Sequence, residues 1–558
     1  MTYTVGTYLA ARLKQIGVAH HFAVAGDYNL ILLDQLLGYD GLKQIYCSNE
    51  LNCSFAAEGY ARARGVAAAI VTFGVGALSA TNGIAGAYAE NLPVILISGA
   101  PNSNDQGSGR ILHHTIGKTD YNFQLEMMRP ITCAAVEIND AATAPEKIDY
   151  AIRTALAEQK PAYISIACNI ADAPCLRPGP MTLNRPLRNH DRASLKAALD
   201  ATLDWLEGRD KPMIIVGSKL RAAQAQKPAI ALAEKMGSPV AVMAAAKSFF
   251  PETHPSFRGV YWGLVSDPGV EELINASDAV IYLAPVFNDF STVGWHAMPE
   301  GENVLVADPD RVTLAQTTYD GFSLVEYLDA LTAQLAQRGA IAAPDAPRPF
   351  NPTPTPPDAP LTNDEMTRQI QGLMTSDTTL FAETGDSWFN AMRLSLPAHA
   401  RLELEMQWGH IGWSIPSMFG NAIGSQGRRH VVMVGDGSFQ LTAQEVSQMI
   451  RQKLPVIIFL INNRGYVIEI AIHDGPYNMI KNWDYAGLMD VFNAEDGHGL
   501  GLHARTGAAL DAAIRRALAN KEGPTLIECA LDQKDCTKTL RDWGLQVSGT
   551  NGRRAQIS

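Results

Sequence analysis

The residues with the most specific chemical spacing lie between His430 and Glu469, in HVVMVGDGSFQLTAQEVSQMIRQKLPVIIFLINNRGYVIE. The apolar runs Val431–Val434 and Val456–Ile461 predict buried strands of a parallel sheet. Thr442–Arg451 between them has helical spacing, which makes the unit β–α–β. The carboxyl ends of strands in such a sheet face the ligand crevice. Asp436 after the first strand and Asn463 after the second are therefore expected at one edge. Mg²⁺ takes oxygen ligands in octahedral geometry and draws few of them from protein, leaving places for phosphate oxygens and water. The Asp436 carboxylate, the Asn463 amide oxygen and the Gly465 carbonyl would make half of that shell. Gly437 lets a phosphate approach the backbone, and the helix start behind it adds N–H donors. Gly-Asp-Gly alone is an ordinary turn. Closing a strand one crossover before Asn-Asn, it predicts a metal–diphosphate site.

Other chemistry-bearing residues are less specific by themselves. Glu50, in YCSNELNCSFAAEGYARARG, opens an alanine-rich helix and alone reads as a carboxylate favoured by the helix dipole. His113 and His114, in ILHHTIGKTD, follow a glycine-rich loop; adjacent histidines do not readily chelate one ion, and an exposed pair is the plain reading. Asp27, in AVAGDYN, could be only a turn residue. Glu469 has apolar neighbours, so it is either a buried acid of raised pKa or the exposed face of a helix or strand. Trp388 and Ile411 read, by themselves, as core.

The elements that must position these groups fall into three α/β segments. Residues 1–185 alternate strands and helices, the pattern of a parallel sheet covered on both faces. Residues 186–342 repeat it, with strands expected within PMIIVGSKL, SPVAVMAAAK, AVIYLAP and NVLVADP. The turn GSKLRAA lacks G-x-G-x-x-G and reads as structural. Proline-rich residues 343–360 predict an extended linker, and 361–558 form the third segment. FAVAGD near residue 25 and LFAETGD near residue 383 both close strands on Gly-Asp, a faint sign of duplication. The tail beyond Trp543 is expected to be poorly ordered at its end.

Composition narrows the function classes. The net charge is −12 with no basic tract, which argues against nucleic acid as a partner. No apolar run approaches membrane-spanning length, and the N-terminus reads as an amphipathic helix, not a signal. The seven cysteines show no paired zinc spacing, and their odd number suits reduced thiols and a cytoplasmic location.

The Gly-Asp-Gly…Asn-Asn arrangement resembles the signature of thiamine-diphosphate-dependent decarboxylases and synthases. AVAGDYN, CSNELNC, AYAENLPVILISGAPN, LHHTIGKTDY, APVFNDFSTVGW, AETGDSWFN, EMQWGHIGWS, VGDGSFQLTAQE and IHDGPYN carry the resemblance further. Over nearly the whole chain they look like the pyruvate decarboxylases in their bacterial form, within the 2-oxo acid decarboxylase family. That resemblance implies α/β architecture with three doubly wound parallel-sheet domains, the pyrimidine and diphosphate domains flanking a middle one. It implies thiamine diphosphate and Mg²⁺ as cofactors, Asp436, Asn463 and Gly465 as metal ligands, and Thr384, Asp386, Gly437 and Ser438 beside the diphosphate. Gly409 would accept from the cofactor's amino group and Ile411 would wedge between its rings. Glu50 would activate cofactor held mainly by a neighbouring subunit, so a homodimer is the minimal unit and a homotetramer the expected assembly. Asp27, His113, His114 and Glu469 would move protons and position substrate.

Trp388, Ile468 and Trp543 would crowd the pocket, implying pyruvate as substrate and acetaldehyde and carbon dioxide as products. An indolepyruvate or phenylpyruvate decarboxylase, a carboligating synthase and a silent homologue serving as a binding module are the competing readings. The histidine pair and the crowded pocket weigh against the first two, and the intact Glu50 and metal ligands against the last. Phe290 departs from the family, which often has tyrosine there. No cysteine lies between Cys175 and Cys529, whereas some fungal relatives are regulated through one in the middle domain; hyperbolic kinetics are therefore expected.

Overall fold

The computed structural model describes residues 3–180, 191–343 and 350–553. The boundary at 185/186 and residues 344–349 of the expected linker lie outside them. Three sheets form the scaffold. The first domain holds Lys43–Tyr46, His20–Ala23, Ala67–Val71, Val94–Ala100, Ala162–Ala167 and Ala134–Ile138, in that spatial order and all parallel. The third holds Arg401–Glu403, Thr378–Ala382, Arg429–Gly435, Ile457–Asn462, Thr525–Ala530 and Leu500–Ala504, again parallel. Numbered along the chain, both orders are 2-1-3-4-6-5. FAVAGD and LFAETGD thus close the same first strand of a repeated sheet, and the echo in the sequence is architectural.

The middle sheet has five parallel strands, Phe257–Tyr261, Val240–Met243, Pro212–Val216, Ala279–Leu283 and Val304–Asp308. It continues into an antiparallel pair, Arg311–Leu314 and Thr317–Asp320, which the parallel pattern did not lead one to expect. These two strands are short and polar, as sheet edges usually are, and so carry little hydrophobic signal. The GSKLRAA turn is closely packed. A Cβ on Gly217 would lie 2.3 Å from the Pro285 Cα, and Lys219 bonds Asp308 at 3.2 Å.

One local expectation is corrected. The crossover helix does not begin at Thr442. Asp436 is itself the first helical residue of Asp436–Thr442, and a 3₁₀ turn, Ala443–Glu445, leads into Val446–Arg451. The tail beyond Trp543 is helical through Asn551, because Lys538–Asn551 buries Leu540, Trp543 and Val547 against the protein, and its expected poorly ordered end at 554–558 lies outside the described residues. Thr537 caps that helix through its side chain.

The first and third domains are locked together by two helices, Glu50–Arg64 and Ser414–Gly424. Where they cross, a Cβ on Gly59 would fall 1.8 Å from the Ser417 carbonyl oxygen, and one on Gly420 would fall 1.7 Å from that of Ala56. Glycine at both positions lets the backbones touch. One apolar cluster joins Phe22, Phe55 and Tyr60 of the first domain to Phe381, Phe419 and Phe439 of the third. Gly420→Ala is expected to destabilise the protein by about 1–3 kcal/mol or more, the usual cost of overpacking a filled interface. An unchanged unfolding midpoint in denaturant would contradict this account of the crossing. Among the described residues, no helix is long and apolar enough to cross a membrane. All seven cysteines are free.

Candidate active site

In the third domain the metal candidates meet at the carboxyl edge of the sheet, as the strand pattern predicts. Asp436 is fully buried, and its carboxylate accepts the N–H groups of Gly437 at 2.7 Å and Arg464 at 2.5 Å. Burial raises its pKa to about 6 against the lowering effect of these backbone donors. Asn463 keeps a buried amide oxygen with no hydrogen-bond partner. Its neighbour Asn462 turns away and donates to Glu528 at 2.7 Å. At Gly465 a Cβ would meet the Asn478 carbonyl oxygen at 2.3 Å, so only glycine lets the chain pass there. A buried carboxylate beside an unsatisfied amide oxygen is a hard oxygen donor set, and it fits Mg²⁺. Gly437 has a second reason to be glycine: a Cβ would strike the Tyr466 ring at 2.3 Å. Ser438 lies beside it, buried in the first helical turn.

The loop carrying Gly409 and Ile411 packs on this helix. Gly409 and Gly412 have φ of +70° and +89°, in the left-handed region that favours glycine. Thr442 Oγ1 donates to the Gly412 carbonyl at 2.7 Å. Ile411 is half-buried, not core. Glu383, which the sequence did not single out, fixes the far side. Its buried carboxylate accepts the N–H groups of Gly412 and Ser414 at 3.2 and 3.1 Å and the Ser414 hydroxyl at 2.7 Å, while Thr384 N–H bonds its other oxygen at 2.9 Å. An acid closing the strand in LFAETGD was the available signal. Asp386 is committed elsewhere. Its carboxylate accepts from the Thr537 hydroxyl at 2.6 Å and the Asn363 amide at 2.8 Å, tying three helix starts together.

In the first domain four strand ends supply the second half. Glu50 is the first residue of its helix, capped by Asn49, whose side chain accepts the Asn52 N–H at 2.8 Å. Its Oε1 lies 3.1 Å from where a Cβ on Gly76 would stand. Glu445, from the helical stretch behind Asp436, holds this turn by accepting from Ser48 N–H at 3.0 Å and the Asn52 amide at 2.9 Å. Asp27, His113 and His114 come together. Asp27 Oδ2 is 2.5 Å from His113 Nε2, and Oδ1 is 3.6 Å from His114 Nε2. Tyr28 stacks on His113 with ring centroids 4.8 Å apart. Although adjacent histidines were not expected to share an ion, ligand atoms of all three residues lie within 4.8 Å of one another. The 2.5 Å contact puts Asp27 and His113 within hydrogen-bond reach of each other.

Glu469 lies on the exposed side of the short helix Val467–Ile472, while Ile468 next to it is buried. Trp388 and Trp543 are buried and pack against half-buried Phe290, whose ring centroid lies 6.3 and 4.9 Å from theirs. The Phe290 carbonyl accepts the indole N–H of Trp262 at 2.8 Å and of Trp543 at 3.3 Å. Phe290 therefore packs against both tryptophans.

Family comparison matches this geometry domain by domain. The N-terminal TPP binding domain of the thiamine pyrophosphate enzymes matches residues 3–125, the central domain 199–335 and the C-terminal TPP binding domain 384–529. The chain belongs to the thiamine pyrophosphate enzyme family. Within it, the chain is 52% identical over 556 residues to a probable pyruvate decarboxylase of Schizosaccharomyces pombe, covering 99% of this chain and 98% of that one. It is 50% identical over 557 residues to a pyruvate decarboxylase of Neurospora crassa (99% and 97%), and 46% identical over 558 to pyruvate decarboxylase 1 of Oryza sativa subsp. indica (99% and 92%). These relatives are fungal and plant, not bacterial. In fold the chain is similar to a benzoylformate decarboxylase from Polynucleobacter necessarius, with TM-score 0.78, 19% identity, and 95% and 99% of the chains covered. A putative thiamin diphosphate-dependent enzyme from Mycobacterium smegmatis gives TM-score 0.78 at 20% identity, over 95% and 100%. Thiamine pyrophosphate enzyme architecture thus accounts for the paired six-stranded sheets.

Proposed function

We propose that the protein decarboxylates pyruvate non-oxidatively to acetaldehyde and carbon dioxide, using thiamine diphosphate and Mg²⁺. Resemblance to pyruvate decarboxylases along the whole chain carries this reading, and the convergence of Asp27, His113 and His114 supplies its acid–base chemistry. Asp436, Asn463 and the Gly465 carbonyl would hold Mg²⁺. The backbone at Thr384 and Asp386, with Gly437 and Ser438, would hold the diphosphate. When bound, the cofactor supplies an electron sink for the pair released as carbon dioxide departs. Glu50 holds and returns a proton at the pyrimidine nitrogen. The Gly409 carbonyl would accept from the cofactor's amino group, and Ile411 would support the cofactor. The Asp27–His113 hydrogen bond keeps a proton at hand for the substrate oxygen and carbon, with His114 and Glu469 beside it. Trp388, Ile468 and Trp543 limit substrate size and exclude water, which favours loss of a charged carboxylate.

The active unit in this reading is a homodimer, assembled further into a homotetramer. Large apolar side chains exposed near both half-sites, among them Val75, Ile111, Ile116, Trp408, Leu441 and Tyr477, support a second copy covering them. The reduced cysteines support a cytoplasmic location.

Steady-state turnover of pyruvate, phenylpyruvate, indolepyruvate and benzoylformate tests the function. Pyruvate is expected to lead, since each methylene-sized excess costs about 1–3 kcal/mol in a filled apolar pocket. An aromatic acid turned over faster would keep the chemistry and overturn the substrate. With no middle-domain cysteine, rate against pyruvate concentration is expected to be hyperbolic, and a sigmoidal curve from pure enzyme would refute that.

A further inference from the structure

A buried cluster of charge lies where the three domains meet, and the steps above use none of it. Arg62, on the helix that Glu50 begins, bonds Glu58 at 2.7 Å and Glu403 at 3.3 Å, and lies 3.6 Å from Glu90. Arg221 of the middle domain bonds the same Glu403 at 2.6 Å. Glu405 is 1% exposed, and one of its oxygens accepts the His410 N–H at 2.9 Å. Glu90 accepts the Gln407 N–H at 3.1 Å. Two carboxyl groups therefore grip the backbone on either side of Gly409.

Arg62 and Arg221 make the direct ion pairs of this cluster, while Lys160 acts on Glu90 and Arg428 on Glu403 from beyond ion-pair distance. Both guanidiniums are already engaged, and neither bonds Glu405. The second oxygen of Glu405, Oε1, is buried without a hydrogen-bond partner. It sits where a Cβ on Gly86 would come within 2.5 Å, so that glycine makes room for it. An ionised carboxylate with a bare buried oxygen beside other acids is strongly disfavoured, and taking up a proton relieves it. Burial, then the neighbouring Glu58 and Glu90, push the Glu405 carboxyl well above its ordinary range, opposed by Arg62. Burial likewise raises Glu58, opposed by Arg62. Nearby His410 is lowered by burial, so it adds no positive charge to offset the acids.

We propose that Glu405 is kept as the neutral acid and is a positioning residue, holding the His410 N–H and so the Gly409–Ile411 loop against the cofactor. This rests on the assignment of that loop to the cofactor's aminopyrimidine given above. Neutrality matters to the role, because an anion there would be driven away from Glu58 and Glu90 and would drag the loop with it.

The test uses the full-length apoenzyme and its titration with thiamine diphosphate plus Mg²⁺ by calorimetry. Glu405→Ala is expected to weaken binding by about 10–100-fold, the range seen when a group supporting a ligand is removed. Glu405→Gln, neutral at every pH and nearly the same shape, is expected to restore it. Infrared spectra of the wild-type apoenzyme at neutral pH should show a protonated-carboxyl carbonyl band that Glu405→Gln lacks. A Gln variant as weak as the Ala variant, or no such band, overturns the proposal. Should Glu405→Ala fail to fold, the Gln titration and the infrared band still decide. Neither readout depends on which 2-oxo acid is consumed, so failure of the pyruvate assignment would leave this result standing.

Discussion

Glu50→Gln is expected to lower kcat by about 10²–10⁴-fold, the range for loss of a positioned proton-transfer group. The same variant should retain thiamine diphosphate and Mg²⁺, because its metal-binding half is untouched. The split follows from the geometry. Glu50 stands at a helix start, capped by Asn49 and held by Glu445, so the amide can occupy the carboxylate's place without disturbing the turn. Only the proton is lost. Rapid-mixing turnover on enzyme saturated with cofactor, alongside calorimetric cofactor affinity, measures both sides. A kcat within a few-fold of wild type would remove Glu50 from the chemistry, and a lost affinity with normal kcat would make it a binding group.

Asp436→Ala is expected to do the reverse. It should abolish retention of cofactor on gel filtration and raise the thiamine diphosphate and Mg²⁺ needed for activity by about 100-fold. Part of any effect will be structural, since Asp436 also accepts the Gly437 and Arg464 N–H groups. Leaving those donors unpaired costs about 1–3 kcal/mol of stability. Asp436→Asn removes the charge for Mg²⁺ and keeps one of the two backbone acceptors, since Gly437 and Arg464 donate to different carboxylate oxygens; its stability loss should be the smaller. Chelator-treated wild-type enzyme should behave like the Asn variant. Cofactor and metal bound as tightly by Asp436→Asn as by wild type would rule out Asp436 as the metal carboxylate.

The parts of the fold legible in the sequence are those whose signal is local. Val431–Val434 and Val456–Ile461 are buried on both sides, so their continuous apolar runs announce strands, and Asp436 and Asn463 follow at the ends. Lys43–Tyr46, Arg401–Glu403 and Leu500–Ala504 lie at sheet edges, where half the surface is solvated and the run is broken by polar residues. Glu383 and Glu445 escaped notice because their importance lies in which backbone donors they meet, and that is set by chain segments far away in sequence. The same holds for Asp386, whose partners Thr537 and Asn363 no local pattern could supply. Ile411 looked like core because an isoleucine carries no mark of the glycine loop that holds it out. The side of the helix on which Glu469 falls was settled only by its packing neighbours.

The apolar cluster that joins the outer domains bears on how the chain comes off the ribosome. Phe55 and Tyr60 emerge early, whereas Phe419, Phe439 and the strand Thr525–Ala530 that complete their surroundings are made hundreds of residues later. Until then the Glu50–Arg64 helix offers its greasy, glycine-notched side to whatever is near. Contacts this distant in sequence form slowly, and intermediates that expose such surface are prone to stick to one another. A nascent chain stopped after the middle domain would be a natural client for a chaperone, and its first domain would reach native stability only when synthesis was nearly done.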